Sequence, residues 1–246
     1  MSLETRLATV IAAIGADIKA LQSAGGGSAP SILTKFKTKF ELEDDFVGAP
    51  NFNTSVFSGG TVTYPSNTDD GAIGVVELSA SANSSGCAVR SLLDAIQIGR
   101  GKIEYAARVK FPILSASGDT YNVMLGLFDA DTNSVVFDGA YFFYDQGFTS
   151  PNWVCKTVNN FTATSTVTGI AVPAGVWVDL AIEINAAGTE AKFYIDGTLV
   201  ATMDGLPTGA NRRSAVGARF ARFAATAARS MIMDYMGISI VPTTPR

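Results

Sequence analysis

Two periodicities divide the chain. Near the start, Leu7, Ile11, Ile14, Ile18 and Leu21 recur at spacings of four, three, four and three. That is the rhythm of a helical seam, with Ile11 and Ile18 at heptad position a and Leu7, Ile14 and Leu21 at d. Ser2 is the expected N-cap, and Glu4 falls in the first turn, where the helix dipole favours an anion. At 1.5 Å per residue the helix spans about 30 Å. Gly25, Gly26 and Gly27 then open a flexible linker, and Pro30 prevents the helix from resuming. The pattern therefore predicts an oligomerisation helix over 1–24, a Gly-rich linker over 25–31 and a β domain over 32–246.

From Ser31 onward the period is two. In "TKFKTKFELE", Phe36, Phe40 and Leu42 share one side, and Lys35, Lys37, Lys39, Glu41 and Glu43 share the other. Short apolar runs such as "AIGVVELSA", "KIEYAARVKFPIL", "YNVMLGLFDA" and "WVCKTV" follow between turn signals, which is the rhythm of a sandwich or jelly roll. The clearest stretch runs from Trp177 to Gly205. Val178, Leu180, Ile182 and Ile184 face one way, and Asp179, Glu183 and Asn185 face the other. After the turn "AAGT", Phe193 and Ile195 alternate with Lys192 and Tyr194, and Asp196-Gly197 has the composition of a type I′ turn. "ANRRSAVGARFARFAATAARSM" is ambiguous, because Ala and Arg favour helix. The alternation of Val216, Ala218 and Phe220 reads as strand, with helix as the alternative for residues 210–231.

The a/d stripe of the first helix is narrower than the face of a helix docked on its own domain. Ile at a with mixed Ile and Leu at d leans towards three or four strands, and the expectation is a parallel homotrimer. Barely three heptads are marginal alone, so the β domains must also touch. Two alternatives stand beside this one. The glycine run permits the helix to fold back, and "LATVIAAIGA" has the length of a signal-peptide core. The leader "MSLETR", however, has no net side-chain charge, and Ile14 spoils the small-x-small cleavage pattern before Ala16.

Composition narrows the chemistry. The 246 residues are 47% hydrophobic and 16% charged, with a net charge of −4 that supplies no basic field for nucleic acid. There is no histidine, which excludes histidine-based triads, histidine metal sites and the usual general base near neutrality. Carboxylate-pair chemistry remains open. No apolar run reaches the length of a membrane-spanning helix, so no membrane insertion is expected. Cys87 and Cys155, far apart in sequence, are expected to be buried free thiols.

Several segments carry a family likeness. Trp177-x-x-Leu180-x-Ile182, Gly188-Thr189, "FYIDGTLVAT", "VGARF" and "MDYMGISIV" resemble the concanavalin A-like lectin and laminin-G jelly-roll superfamily. "DDFVG", "MLGLFDADTNSVVFDGAYFFYD" and "NWVCKTVNN" are similar to the version found in tailed-phage structural proteins. "LETRLATVIAAIGADIKAL" resembles the short helices that begin many phage fibre subunits. The resemblance implies a mainly β fold, an antiparallel jelly-roll sandwich behind the short N-terminal α-helix. It also implies a place in a virion, and that fold carries lectins, glycanases and pure scaffolds alike.

"IGRGK" lacks the glycine and the Ser or Thr of a phosphate loop, since Ile96 and Ile103 stand there. "DADTN" places Asp129, Asp131 and Asn133 at calcium-loop spacing, but Ser134 and Ala140 occupy the positions that need Gly and Glu, so no metal or other cofactor is expected. Glu41, Glu43 and Asp45 alternate in "ELEDD" without the order of the β-glucanase acids, and read as a solvated strand edge. Tyr144, Asp145, Gln146, Asn152 and Trp153 bracket a polar loop suited to stacking on a sugar and bonding its hydroxyls, with core packing as the alternative for the aromatics. The functional expectation is a non-enzymatic trimeric virion component, whether fibre, decoration or adhesin knob. It would be made in the bacterial host cytoplasm, joined to other virion proteins through its helix, and able to bind host-surface glycans. A glycan depolymerase and a secreted lectin are the alternatives.

Overall fold

The alternation that begins at Phe40 becomes a series of strands in the computed structural model, which describes residues 38–47, 50–65, 72–91, 94–116, 118–130, 135–145, 151–224 and 227–244. The helical seam of Leu7, Ile11, Ile14, Ile18 and Leu21 lies outside these residues. Among the described residues no helix forms an element. Phe40–Thr244 is one compact unit.

Strands are numbered β1 to β15 in chain order, and every ladder between them is antiparallel. The first sheet has eight strands. In spatial order it holds β13 (Thr198–Met203), β12 (Ala191–Ile195), β11 (Trp177–Ile184), β6 (Gly101–Lys110), β15 (Arg229–Pro242), β4 (Val76–Ala80) and β3 (Gly60–Thr63). β1 (Phe40–Asp44) also pairs with β15, along Met236–Ile240, beyond the stretch that β4 occupies. The second sheet has seven strands: β10 (Thr162–Ala171), β9 (Asn152–Asn159), β8 (Asp138–Asp145), β7 (Tyr121–Phe128), β14 (Ala215–Arg222), β5 (Gly86–Arg90) and β2 (Asn53–Phe57). The last two strands in sequence, β14 and β15, each lie inside a sheet with partners on both edges.

The sheets face each other across one apolar core. Ile103, Tyr105, Val109, Leu180, Ile182 and Phe193 meet Val123, Leu125, Phe142, Trp153, Val216 and Phe220 there. Strand parity decides which residues enter it. The expected meander is present: β11, β12 and β13 follow one another, and Asp196 and Gly197 have φ of 48° and 74°, as a type I′ turn requires. The ambiguous Ala/Arg-rich segment is strand. β14 hydrogen-bonds to β7 and β5 on its two edges, so tertiary pairing overrides its helix propensity. All eight of its residues are buried, and its small side chains suit that.

Two polar features lie inside this frame. Fully buried Arg222 donates to the carbonyl of Ala80 at 2.8 Å and pairs with Asp119, whose other oxygen pairs with Arg229. Cys87 on β5 and Cys155 on β9 are both free and buried, as expected. β8, β7 and β14 stand between their strands, a span of about 19 Å at ladder spacing. A disulfide needs Cα atoms within about 7 Å.

Candidate functional site

The polar loop after β8 is not a sugar-stacking site built on Tyr144 and Trp153. Both side chains are 0% exposed. Tyr144 shares the parity of Ala140 and Phe142, and Trp153 that of Cys155, so both point into the sandwich. Trp153 packs its ring 5.8 Å from Phe111, 6.0 Å from Phe142 and 6.4 Å from Tyr144, centroid to centroid. The alternation with Phe142 and Cys155 was the signal that would have assigned them to the core. Asp145 has the opposite parity but is only 5% exposed, and Asn152 is half-buried. Gln146 lies outside the described residues.

The outer face of the seven-stranded sheet, where Asp145 sits, is a second packed layer. Met124, Phe128, Tyr141, Phe143, Val154 and Val158 cluster there. The Lys156 ammonium lies 3.7 Å above the Phe143 ring, and burial pulls its pKa down from the usual lysine range. Burial pushes the Tyr141 phenol up to about 12, against the opposing charge of Arg219. Tyr141 is 3% and Arg219 2% exposed, so a ligand cannot reach them.

The outer face of the eight-stranded sheet is different. Register aligns three of the smallest residues across adjacent strands: Ala181 on β11 faces Ala106 on β6, which faces Gly237 on β15. Their short side chains leave a trough running across the strands. Tyr194 on β12 closes one end, because it pairs with Ala181. Tyr235 closes the other by folding back over Gly237: a Cβ at that glycine would lie 2.3 Å from the phenol oxygen. The two tyrosines sit three ladders apart, about 14 Å at ordinary strand spacing. Between them is a cavity of about 330 Å³ lined by Ala106, Ala181, Tyr194, Tyr235, Arg108 and Asp179, with Gly197 and Asp234 at its margin.

A bulge in β15 builds one wall. The ladder with β6 slips between Met233 and Tyr235, which turns Asp234 inwards. Its Oδ1 accepts the Ile73 backbone N–H at 3.1 Å and its Oδ2 accepts Arg108 Nη1 at 3.0 Å. Arg108 Nε is 3.7 Å from Asp179 Oδ1, so one guanidinium stands between two carboxylates. Its plane also lies 5.3 Å above the Trp177 ring, with Lys110 Nζ 4.7 Å above the same ring. Beyond Tyr194, outside the cavity lining, the same sheet face is acidic. Glu183 and Glu104 face each other directly across the β11–β6 ladder, an arrangement that costs stability. Tyr194 Oη donates to Glu183 Oε2 at 3.4 Å, and Lys102 Nζ meets Glu104 Oε1 at 2.5 Å. Burial, then the Glu43 carboxylate beside it, raises the Tyr235 phenol above the usual tyrosine range.

The acids of "ELEDD" are thereby placed. Glu41 and Glu43 project outwards from β1, while buried Asp44 caps the next turn by accepting the Phe46 N–H at 2.8 Å. Asp129 accepts the Phe137 N–H at 2.9 Å, which is turn chemistry, and Asp131 and Asn133 lie outside the described residues. Among the described residues no three acidic, cysteine or histidine side chains gather as metal ligands would.

Residues 71–241 match the family model described as the SO2946-like C-terminal domain. The chain belongs to that family. The SO2946-like fold is shared with solved structures of low sequence identity. The protein of unknown function SO2946 from Shewanella oneidensis MR-1 aligns with a TM-score of 0.64 at 16% identity, over 89% of this chain and 98% of that one. The CBM2 module of the evolved Dit of Lactobacillus casei BL23 phage J-1 gives 0.54 at 12%, over 85% and 99%. An endo-1,3-β-glucanase from Streptomyces sioyaensis gives 0.54 at 15%, over 88% and 100%. At these identities the likeness establishes the jelly-roll sandwich and nothing of the chemistry. No curated protein sequence matches the chain.

Proposed function

We propose that this SO2946-like protein is a non-enzymatic, carbohydrate-binding component of a tailed-phage virion, with the trough of the eight-stranded sheet as its binding site. The observation that carries the reading is the cavity between Tyr194 and Tyr235. Two aromatic walls, a floor of small residues and a fixed Arg108–carboxylate array are what a pyranose needs for stacking and hydroxyl bonding. The phage Dit module and the glucanase on the same fold support a sugar as ligand. In this reading Leu7, Ile11, Ile14, Ile18 and Leu21 hold three copies together and the helix docks the trimer on other virion proteins. Three weak sites then act together on a host surface.

Binding of the full chain to a glycan array, compared with Tyr194→Ala, tests the site. Tyr194 is half-buried, so the variant should fold and lose binding; undiminished binding would move the site elsewhere. Light scattering tests the assembly: a trimer that Ile14→Asp disperses is expected, and a monomeric or dimeric parent would refute the stoichiometry. The facing pair Glu183 and Glu104 favours one rival, a glycan depolymerase, since retaining hydrolysis uses two carboxyl groups about 5 Å apart. New reducing ends released from any bound glycan would establish that rival.

A further inference from the structure

The seven-stranded sheet ends at β10, and no described strand lies beyond it. Asn160 and Phe161, with φ of 53° and 65°, form a two-residue turn closed by Asn159 and Thr162. The closing residues of such a hairpin exchange both hydrogen bonds. Thr162, Thr164 and Thr166 therefore bond to β9, while Ala163, Ser165 and Val167 turn N–H and C=O to the open edge. Every residue of β10 except Thr168 is exposed.

Open edges recruit strands from other chains, and proteins blunt them with shortness, charge, proline or bulges. The other sheet margins here are blunted in these ways. β3 and β2 have four and five residues, β1 carries Glu41, Glu43 and Asp44, and β13 is broken by a bulge between Leu199 and Ala201. Thr162–Val167 has none of these devices. Its ladder is regular, it holds no proline, and no charged residue stands between Lys156 and Asp179.

We propose that β10 is an interface between two copies of this chain, paired antiparallel so that their seven-stranded sheets form one continuous layer. The inference is independent of the glycan reading. Identical antiparallel strands side by side are related by a two-fold axis perpendicular to the sheet, which keeps threonines on the threonine face. With that axis at Ser165, Ala163 meets Val167 of the second copy and Ser165 meets its own equivalent, so all three outward residues of each copy are paired. Thr164 then faces Thr166 of the second copy, a favourable cross-strand pair. A foreign segment carrying charge would find no counter-charge along β10, whereas the chain's own β10 brings no charge to answer. The contact consumes both open edges, so it closes as a pair and does not propagate. The bulge after Val167, with Gly169 at φ 75°, ends the ladder. The facing stretch is short beside the roughly 800 Å² per partner of a standard interface, so pairing should rise with concentration.

The test is oxidation of a Ser165→Cys variant of the full chain at increasing concentration. Opposite residues of a hydrogen-bonded pair have Cα atoms about 5.5 Å apart, which a disulfide spans. A covalent dimer should appear on non-reducing electrophoresis, without interference from the buried native thiols of Cys87 and Cys155. Val176→Cys, exposed in the same uncharged stretch but beyond β10, should not cross-link. Ser165→Pro removes an outward N–H, which an edge strand tolerates, so far-UV circular dichroism should be unchanged. By sedimentation, the unmutated chain should form a species of twice the mass of the largest Ser165→Pro species. Ile14→Asp, which tests the helical seam, should leave the Ser165→Cys cross-link in place. Equal cross-linking at Val176→Cys, or loss of the cross-link with Ile14→Asp, overturns the proposal by reducing it to collisions within a tethered assembly. An assembly mass that Ser165→Pro leaves unchanged overturns it as well. So does a Ser165→Cys chain that does not cross-link, which would leave an extended segment of another protein as the occupant of β10.

Discussion

Replacing Trp153 with alanine separates a core residue from a ligand contact more sharply than any other single change. The indole is 0% exposed and packed against Phe111, Phe142 and Tyr144. Removing it leaves a void in the middle of the sandwich, and large aromatic-to-alanine truncations of this kind cost about 3–5 kcal/mol. Total stabilities of domains are about 5–15 kcal/mol, so a large share of the folding free energy is at stake. For a domain near 200 residues each kcal/mol shifts the melting temperature by about 2–4 °C, so the midpoint should fall by roughly 6–20 °C. The indole N–H has no acceptor among the described residues, so no hydrogen bond is lost with it. Trp153→Phe, which keeps part of the ring packing and leaves a smaller void, should therefore cost less than Trp153→Ala. Urea unfolding followed by far-UV circular dichroism measures both variants without depending on tryptophan emission. A loss below about 1 kcal/mol for Trp153→Ala would refute its place in the core. A fully stable Trp153→Ala that no longer binds glycan would return it to the ligand site.

Asp119→Ala should cost about 3–5 kcal/mol, because it strands fully buried Arg222 without a carboxylate; Asp119→Ala combined with Arg222→Met should recover part of that by denaturant titration, and a neutral single variant would refute the network's role. Burial pushes the thiols of Cys87 and Cys155 up to about 12, so an alkylating reagent at pH 8 should leave both unmodified until the chain unfolds. The same shifts set an alkaline limit. Below about pH 9 both states keep the thiols protonated; above it the unfolded chain loses protons that the native state retains, so stability should fall by about 1.4 kcal/mol per pH unit for each thiol until about pH 12. Replacing Cys155 with alanine should flatten that decline, and an unchanged slope would refute the assignment. Chelators should leave the melting temperature unchanged, and a rise of several degrees with calcium would overturn the absence of a metal requirement.

Strand identity was legible wherever one face is wet and the other dry. The meander from Trp177 to Met203 is the clearest case, because Asp179 and Glu183 alternate with Leu180 and Ile182 and the Asp196-Gly197 turn has a distinctive composition. β14 was harder, since burial on both faces removes the alternation and leaves only Ala and Arg propensity to read. Tyr144 at the end of β8 and Trp153 at the start of β9 misled for the same reason: with every residue of β8 buried, polarity gives no guide, and only their parity with Phe142 and Cys155 tells which face they take. The trough was invisible in sequence. It depends on Ala181, Ala106 and Gly237 falling in register from three strands distant along the chain, and on a bulge that re-aims Asp234. No local pattern encodes that coincidence. Glu183 was legible in the sequence as an outward-facing acid, but only the ladder shows that another acid stands opposite.

The placement of β14 and β15 inside the two sheets has a consequence for how the molecule comes into being. Until residues 215–242 are available, β7 has no neighbour on its β5 side, and β6 has none on the side facing β4 and β1. A growing chain emerging from the ribosome would hold two half-sheets with open edges, each a template for pairing with a neighbouring nascent chain. Closure joins segments far apart in the chain, so it should be slow and late, as non-local β pairing generally is. Inserting the final two strands zips both layers in one step. Any truncation within β15 should therefore abolish the whole sandwich instead of trimming it, and should divert the product to aggregates.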